Sequence, residues 1–113
     1  MFKETIEVSV TFNEKITFFL RMIGIAEENE YRQKLFGIPE ADRAEKEYEA
    51  NVSLLAELSE KLPDGMFGDS IPKGQPDFCI REYFAEKTVL KERIAFYAVC
   101  GYFNRLMPSE SFL

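Results

Sequence analysis

PEADRAEKEYEANVSLLAELSEKL, residues 39–62, is the stretch whose reading decides the fold class. Ala41, Ala44, Tyr48, Val52, Leu55 and Leu62 recur at three- and four-residue spacing, with Leu58 at the edge, which is the stripe of an amphipathic helix. Pro39 suits the first helical position, where its fixed φ is already helical and its missing N–H costs nothing. Acids follow in the first turn, against the positive end of the helix dipole. Asp42/Lys46 and Glu57/Lys61 are acid-first pairs four residues apart. Leu62-Pro63-Asp64-Gly65 ends the helix.

Upstream of this helix the chain reads as helical with one competing signal. Gly37 and Pro39 stop a charged piece over residues 27–36, whose apolar anchors are Tyr31, Leu35 and Phe36. Before it, Ile16, Phe19, Leu20 and Ile23 share one helical face, widened by Phe18, Met22 and Ile25. Thr11 or Asn13 caps that helix, and Glu14 completes a capping box with Thr11. Gly24 ends or weakens it. At the N-terminus Ile6, Val8, Val10 and Phe12 alternate with Glu7, Ser9 and Thr11, which predicts a strand over about residues 4–12. Phe2, Ile6 and Val10 are also four residues apart, so a helix competes for the same segment. A strand needs a partner for its backbone groups. The expected partners are a short strand within residues 66–72, a second copy of the chain, or a different protein.

Downstream, residues 63–77 form a long internal loop punctuated by Pro63, Gly65, Gly68, Pro72, Gly74 and Pro76. Met66, Phe67 and Ile71 sit in it, either pinning it to the core or presenting an apolar tip to a partner. Asp77 is placed to cap a helix starting at Phe78. That helix runs to about Met107, either unbroken or interrupted near Lys87-Thr88, before Pro108. Residues 94–103 carry no charge, the signature of a central core helix or of an assembly surface. Gly101 within them allows close backbone approach. The expected fold is mainly α: a single compact helical domain over residues 1–113, with three to five helices, with or without the short N-terminal strand.

Composition removes most chemistry. The 113 residues include no histidine, which takes away the commonest general base and zinc ligand together with Ser-His-Asp and Cys-His catalysis. Cys79 and Cys100 have apolar flanks and read as buried free thiols. No Walker A, GxGxxG or EF-hand spacing is present. No catalytic residue, metal ligand or cofactor is assigned. The first residues show no basic segment followed by an apolar one, and the apolar stretch over residues 16–26 is broken by Arg21 and too short to span a bilayer. No membrane association and a cytoplasmic location are the expectations.

Charge is the remaining signal. The formal net charge is −6. Residues 1–26 carry three acids and three bases, residues 65–113 six of each, and residues 27–64 eleven acids and five bases. All of the net charge therefore belongs to the middle third. On the 39–62 helix, Asp42, Glu45, Glu49 and Glu60 lie along one flank of the apolar stripe, and Glu40 and Glu47 along the other. A solvated face is the plainer reading of this set. The sharper reading is a docking face for another protein, a basic or nucleic-acid-binding one fitting best. Direct nucleic-acid binding is not expected of so acidic a chain. The resulting expectation is a non-enzymatic small acidic interaction protein: a regulator, inhibitor or adaptor. Glu40, Asp42, Glu45, Glu47 and Glu49 are its candidate acidic face, and Met66, Phe67 and Ile71 its candidate loop contact. A homo-oligomeric helical domain is the first alternative, and a small ligand-binding protein or enzyme with an aromatic pocket the second.

Overall fold

The strand β1, Thr5–Thr11, pairs antiparallel with β2, Lys15–Arg21, across the three residues 12–14. The computed structural model describes residues 5–106, and the expectations for Pro108 and for the end of the last helix at Met107 lie outside them. In register, Ile6 faces Leu20, Val8 faces Phe18 and Val10 faces Ile16, all on one side of the pleat. This overturns both the helix expected around residues 14–24 and the strand partner expected in 66–72. Ile16, Phe19, Leu20 and Ile23 do fit a helical face, but Ile16, Phe18 and Leu20 fit an alternating one equally well. Pairing with Val8 and Val10 buries the alternating set, and β-branched and aromatic residues favour that outcome.

Phe19 sits on the opposite side of the sheet yet is 8% exposed. The chain after the central helix returns over it: Asp64 and Thr17 exchange both backbone hydrogen bonds at 3.0 Å, and the Glu60 N–H donates to the Phe19 carbonyl at 2.8 Å. The Lys61 ammonium lies 4.0 Å from the Phe19 ring centre. Gly65 makes the approach feasible, since its φ is 82° and a Cβ there would lie 2.1 Å from the Lys15 carbonyl oxygen.

Four α-helices follow: α1 Ile25–Phe36, α2 Arg43–Leu58, α3 Pro76–Tyr83 and α4 Val89–Leu106. A 3-10 turn, Glu40–Asp42, precedes α2. The long helix expected over 39–62 is therefore shorter at both ends, because Ser59 turns extended to bridge Leu20 of β2. Lys61 consequently leaves the helix, and Glu57 pairs with Arg81 of α3 at 3.8 Å instead. Lys46 pairs with Glu49 at 3.8 Å rather than with Asp42. Gln75, not Asp77, precedes the first turn of α3, and Asp77 pairs with Arg81 inside it at 2.6 Å. The break near Thr88 is present, and the Thr88 hydroxyl accepts the Lys91 N–H at 3.1 Å as an N-cap.

One hydrophobic cluster joins the hairpin to α2, α3 and α4. Phe18, Leu20, Leu55, Ile80 and Tyr102 are fully buried at its centre, each contributing about 1.5–3 kcal/mol through removal from water. α4 crosses β1 at Gly101, where an added Cβ would lie 2.8 Å from Val8 Cγ1. The close approach anticipated for Gly101 is thus realised against a strand. Tyr48 and Val52 of the expected stripe are buried with Leu55 and Leu58, whereas Ala41 and Ala44 are exposed. α1 stands apart: it packs chiefly on α2 and has no buried residue. Among the described residues no helix is long and apolar enough to cross a membrane.

Candidate interaction surface

α2 turns by about 100° per residue, and this splits the acidic set in two. Glu40 and Glu47 point with Arg43 toward the side facing α4. Arg43 lies between them, 3.5 Å from Glu40 and 3.7 Å from Glu47. Asp42, Glu45 and Glu49 occupy the other flank, all exposed, with Lys46 beside Glu49. Glu45 and Asp42 carry the least compensated charge of the five. The candidate loop residues also separate. Met66 is buried and Phe67 packs edge-on against Tyr83 at 6.0 Å, so both pin the loop. Ile71 is 70% exposed.

A groove between α1, α2 and α4 was not anticipated. It encloses about 580 Å³, and its walls include Leu35 and Phe36 from α1 and Phe96 and Phe103 from α4. A second hollow of about 520 Å³ shares Arg43, Glu47, Asn51 and Phe96 with it and continues toward Glu92, Arg93 and Tyr97. Phe36 is 82% exposed and Phe96 41%. The aromatic surface extends beyond the groove, since Phe96 meets Tyr97 at 5.3 Å and Tyr97 meets Phe12 of the hairpin turn at 5.9 Å.

Tyr31 and Asn51 form the polar floor. The Tyr31 hydroxyl donates to Asn51 Oδ1 at 2.6 Å, and its ring lies 5.6 Å from that of Phe103. Burial pushes the Tyr31 phenol well above its ordinary value, with the Glu47 charge adding to it. It is a neutral donor at physiological pH, not a base. Burial and then Glu47 likewise push the Cys100 thiol up, which disfavours its thiolate. Cys100 is only partly buried while Cys79 is buried, and both are free. Arg32 is held by Glu28 at 2.8 Å. The groove therefore offers aromatic walls, the amides of Asn51 and Asn104, and internally paired charges. Such a lining suits burial of apolar side chains and hydrogen bonding.

The uncharged run 94–103 divides between core and surface. Ile94, Ala95, Ala98, Val99 and Tyr102 turn to the core, while Phe96 and Tyr97 turn outward. One side of the helix is therefore core and the other is exposed aromatic surface. Among the described residues no group of three or more His, Cys, Asp or Glu is placed to hold a metal ion. In comparisons with known proteins, no family model, no curated relative and no solved structure matches the chain.

Proposed function

We propose that the protein is a non-enzymatic small acidic interaction protein, a regulator, inhibitor or adaptor, that holds a segment of another protein in the α1–α2–α4 groove. The exposed pair Phe36 and Phe96 on opposite walls of that groove carries the reading. Exposed aromatic surface around a concave, mostly apolar lining is characteristic of a partner site, because docking removes it from water. The flank of Asp42, Glu45 and Glu49 on the same helix favours a basic partner, speeding its approach more than tightening its hold. The open shape of the groove, with Arg32 and Arg43 already engaged by acids, speaks for a macromolecular segment over a small enclosed ligand.

Affinity capture with quantitative mass spectrometry tests this with three proteins: wild type, Phe36→Ser/Phe96→Ser, and Glu45→Lys/Glu49→Lys. The expected result is a partner retained by wild type, lost by the aromatic double variant, and captured by the charge-reversed variant with a flatter salt dependence. Equal recovery of the same partner by all three proteins rejects the groove and the acidic flank together.

A further inference from the structure

The two hollows beside α2 form one trough, because they share Arg43, Glu47, Asn51 and Phe96. Along α4 it runs from Glu92 to Asn104, about 18 Å at 1.5 Å per residue, or about three helical turns. Its middle is walled by residues 47–51 of α2 and 96–100 of α4, whose backbone N–H and C=O groups bond along their own helices. These walls have no backbone group to offer an occupant. The floor adds little, since Asn51 Oδ1 already accepts the Tyr31 hydroxyl at 2.6 Å. An extended segment laid here would turn its own N–H and C=O groups toward walls that cannot pair them, at a cost in free energy for each. A helix arrives with those groups already paired.

One end of the trough adds a charge requirement. Glu40 and Glu47 line it from one side and Glu92 from the other, against Arg43 and Arg93. Glu40 and Glu47 share Arg43 at 3.5 and 3.7 Å, both longer than a charge-assisted hydrogen bond. Their carboxylates therefore keep acceptor positions open, and that of Glu40 is 92% exposed. A further cation seated among the three acids completes this end. We infer that the trough takes an amphipathic helix of about three turns from the partner. Its apolar stripe, at i, i+3, i+4 and i+7, lies between Phe36 and Phe96, and a Lys or Arg on its flank sits among Glu40, Glu47 and Glu92. This rests on the groove reading proposed above and adds the form and charge of what the groove holds.

A displayed library of random peptides of about 14 residues, long enough for the trough, tests it on the full chain. Peptides are selected on wild type and counter-selected on Phe36→Ser/Phe96→Ser, whose substitutions fall on exposed side chains. The selected sequences should space their apolar residues by three and four and carry Lys or Arg on one flank. Made as free peptides, they should bind about a hundredfold more weakly with Pro at a central position. Glu40→Lys should weaken the basic peptides about tenfold and recover binding to versions with Glu in place of the Lys or Arg. Selected sequences that alternate with period two or are rich in Pro overturn the inference, since they mark an extended occupant. Affinity unchanged by Glu40→Lys overturns it as well. So does a selection that yields nothing, including one in which wild type instead self-associates through Phe36 and Phe96. In each of these cases the groove reading stands where the aromatic double variant still loses the partner that wild type captures, and falls where both capture it equally.

Discussion

The hydroxyl of Tyr102 donates to the carbonyl oxygen of Arg21 at 2.7 Å, joining α4 to the last residue of β2. The Tyr102 hydroxyl oxygen in turn accepts the Ile23 N–H at 2.7 Å. One fully buried phenol thus satisfies two backbone groups where the chain leaves the sheet for α1. Tyr102→Phe keeps the ring and strips both bonds. It should cost about 1–3 kcal/mol in urea unfolding, because the orphaned carbonyl and N–H remain partly shielded from water.

Alkaline stability should report the same residue. Burial raises Tyr102 and Tyr48 from the ordinary value of 10 to about 12. A folded value above the unfolded one means that the linked stability is complete below about pH 10 and is lost as the pH rises through about 12. Unfolding followed by circular dichroism should set in over that window, together with tyrosinate absorbance. Tyr102→Phe should flatten this alkaline limb while lowering stability at neutral pH. A limb unchanged by the substitution would assign it to other groups.

Acid stability should depend on Glu27, in the opposite sense. Arg21 binds both of its carboxylate oxygens, at 3.0 and 2.7 Å, and the Gly24 N–H donates to it at 3.1 Å. These hydrogen bonds hold the carboxyl down at about 2. A lowered folded value gives stability that is present above the ordinary 4.5 and lost as the pH falls toward 2. Both side chains are more than a third exposed, so solvent screening limits the pair to about 1 kcal/mol or less. The advantage of wild type over Glu27→Gln, measured by urea unfolding, should be of that size at neutral pH and vanish on acidification.

How much of this was legible in sequence follows from how local each decision is. The stripe Tyr48, Val52, Leu55 and Leu58 announces α2 because one helix face is enough to specify it. Its ends were not legible: Leu62 continues the spacing, but the bridge from Ser59 to Leu20 captures the chain first. Residues 15–21 satisfy two periodicities at once, and only pairing with Val8 and Val10 selects between them. The acidic residues were visible as a composition, and their division by Arg43 follows from helix geometry. The groove was not visible, because Phe36 and Phe96 lie on helices far apart in the chain and nothing in either segment states that they face each other.

Gly101 and Val8 should show a measurable coupling. Ala at position 101 gains about 1 kcal/mol of helix propensity. Its Cβ would lie 2.8 Å from Val8 Cγ1, and a β-branched side chain in a strand yields little. Overpacking of this kind costs about 1–3 kcal/mol, so Gly101→Ala should be destabilising on balance. In a Val8→Ala background the clash is gone and the same substitution should become neutral or stabilising. Urea unfolding of the four members of this cycle gives the coupling energy, and additive effects would show that α4 does not bear on β1 at this point.

α1 should open before the rest of the fold, and this bears on the groove it walls. It has no buried residue, and a helix of 12 residues is marginal on its own. Two attachments hold it. At its start Glu27 is clamped by Arg21, and in its middle Tyr31 reaches Asn51 and Phe103. Hydrogen exchange should therefore show α1 amides protected far less than those of α2 and α4. Tyr31→Phe keeps the contact with Phe103 and removes the bond to Asn51. It should speed exchange throughout the second half of α1 and leave α4 unchanged. If a partner occupies the groove between Phe36 and Phe96, its binding must order α1, so protection of these amides should rise with partner saturation. Tyr31→Phe should then weaken binding through the added ordering cost, although Tyr31 lies on the floor and Phe36 and Phe96 supply the walls. Protection of α1 equal to that of α4 in the free protein would mean that the groove is rigid and preformed, and Tyr31→Phe should then leave affinity nearly unchanged.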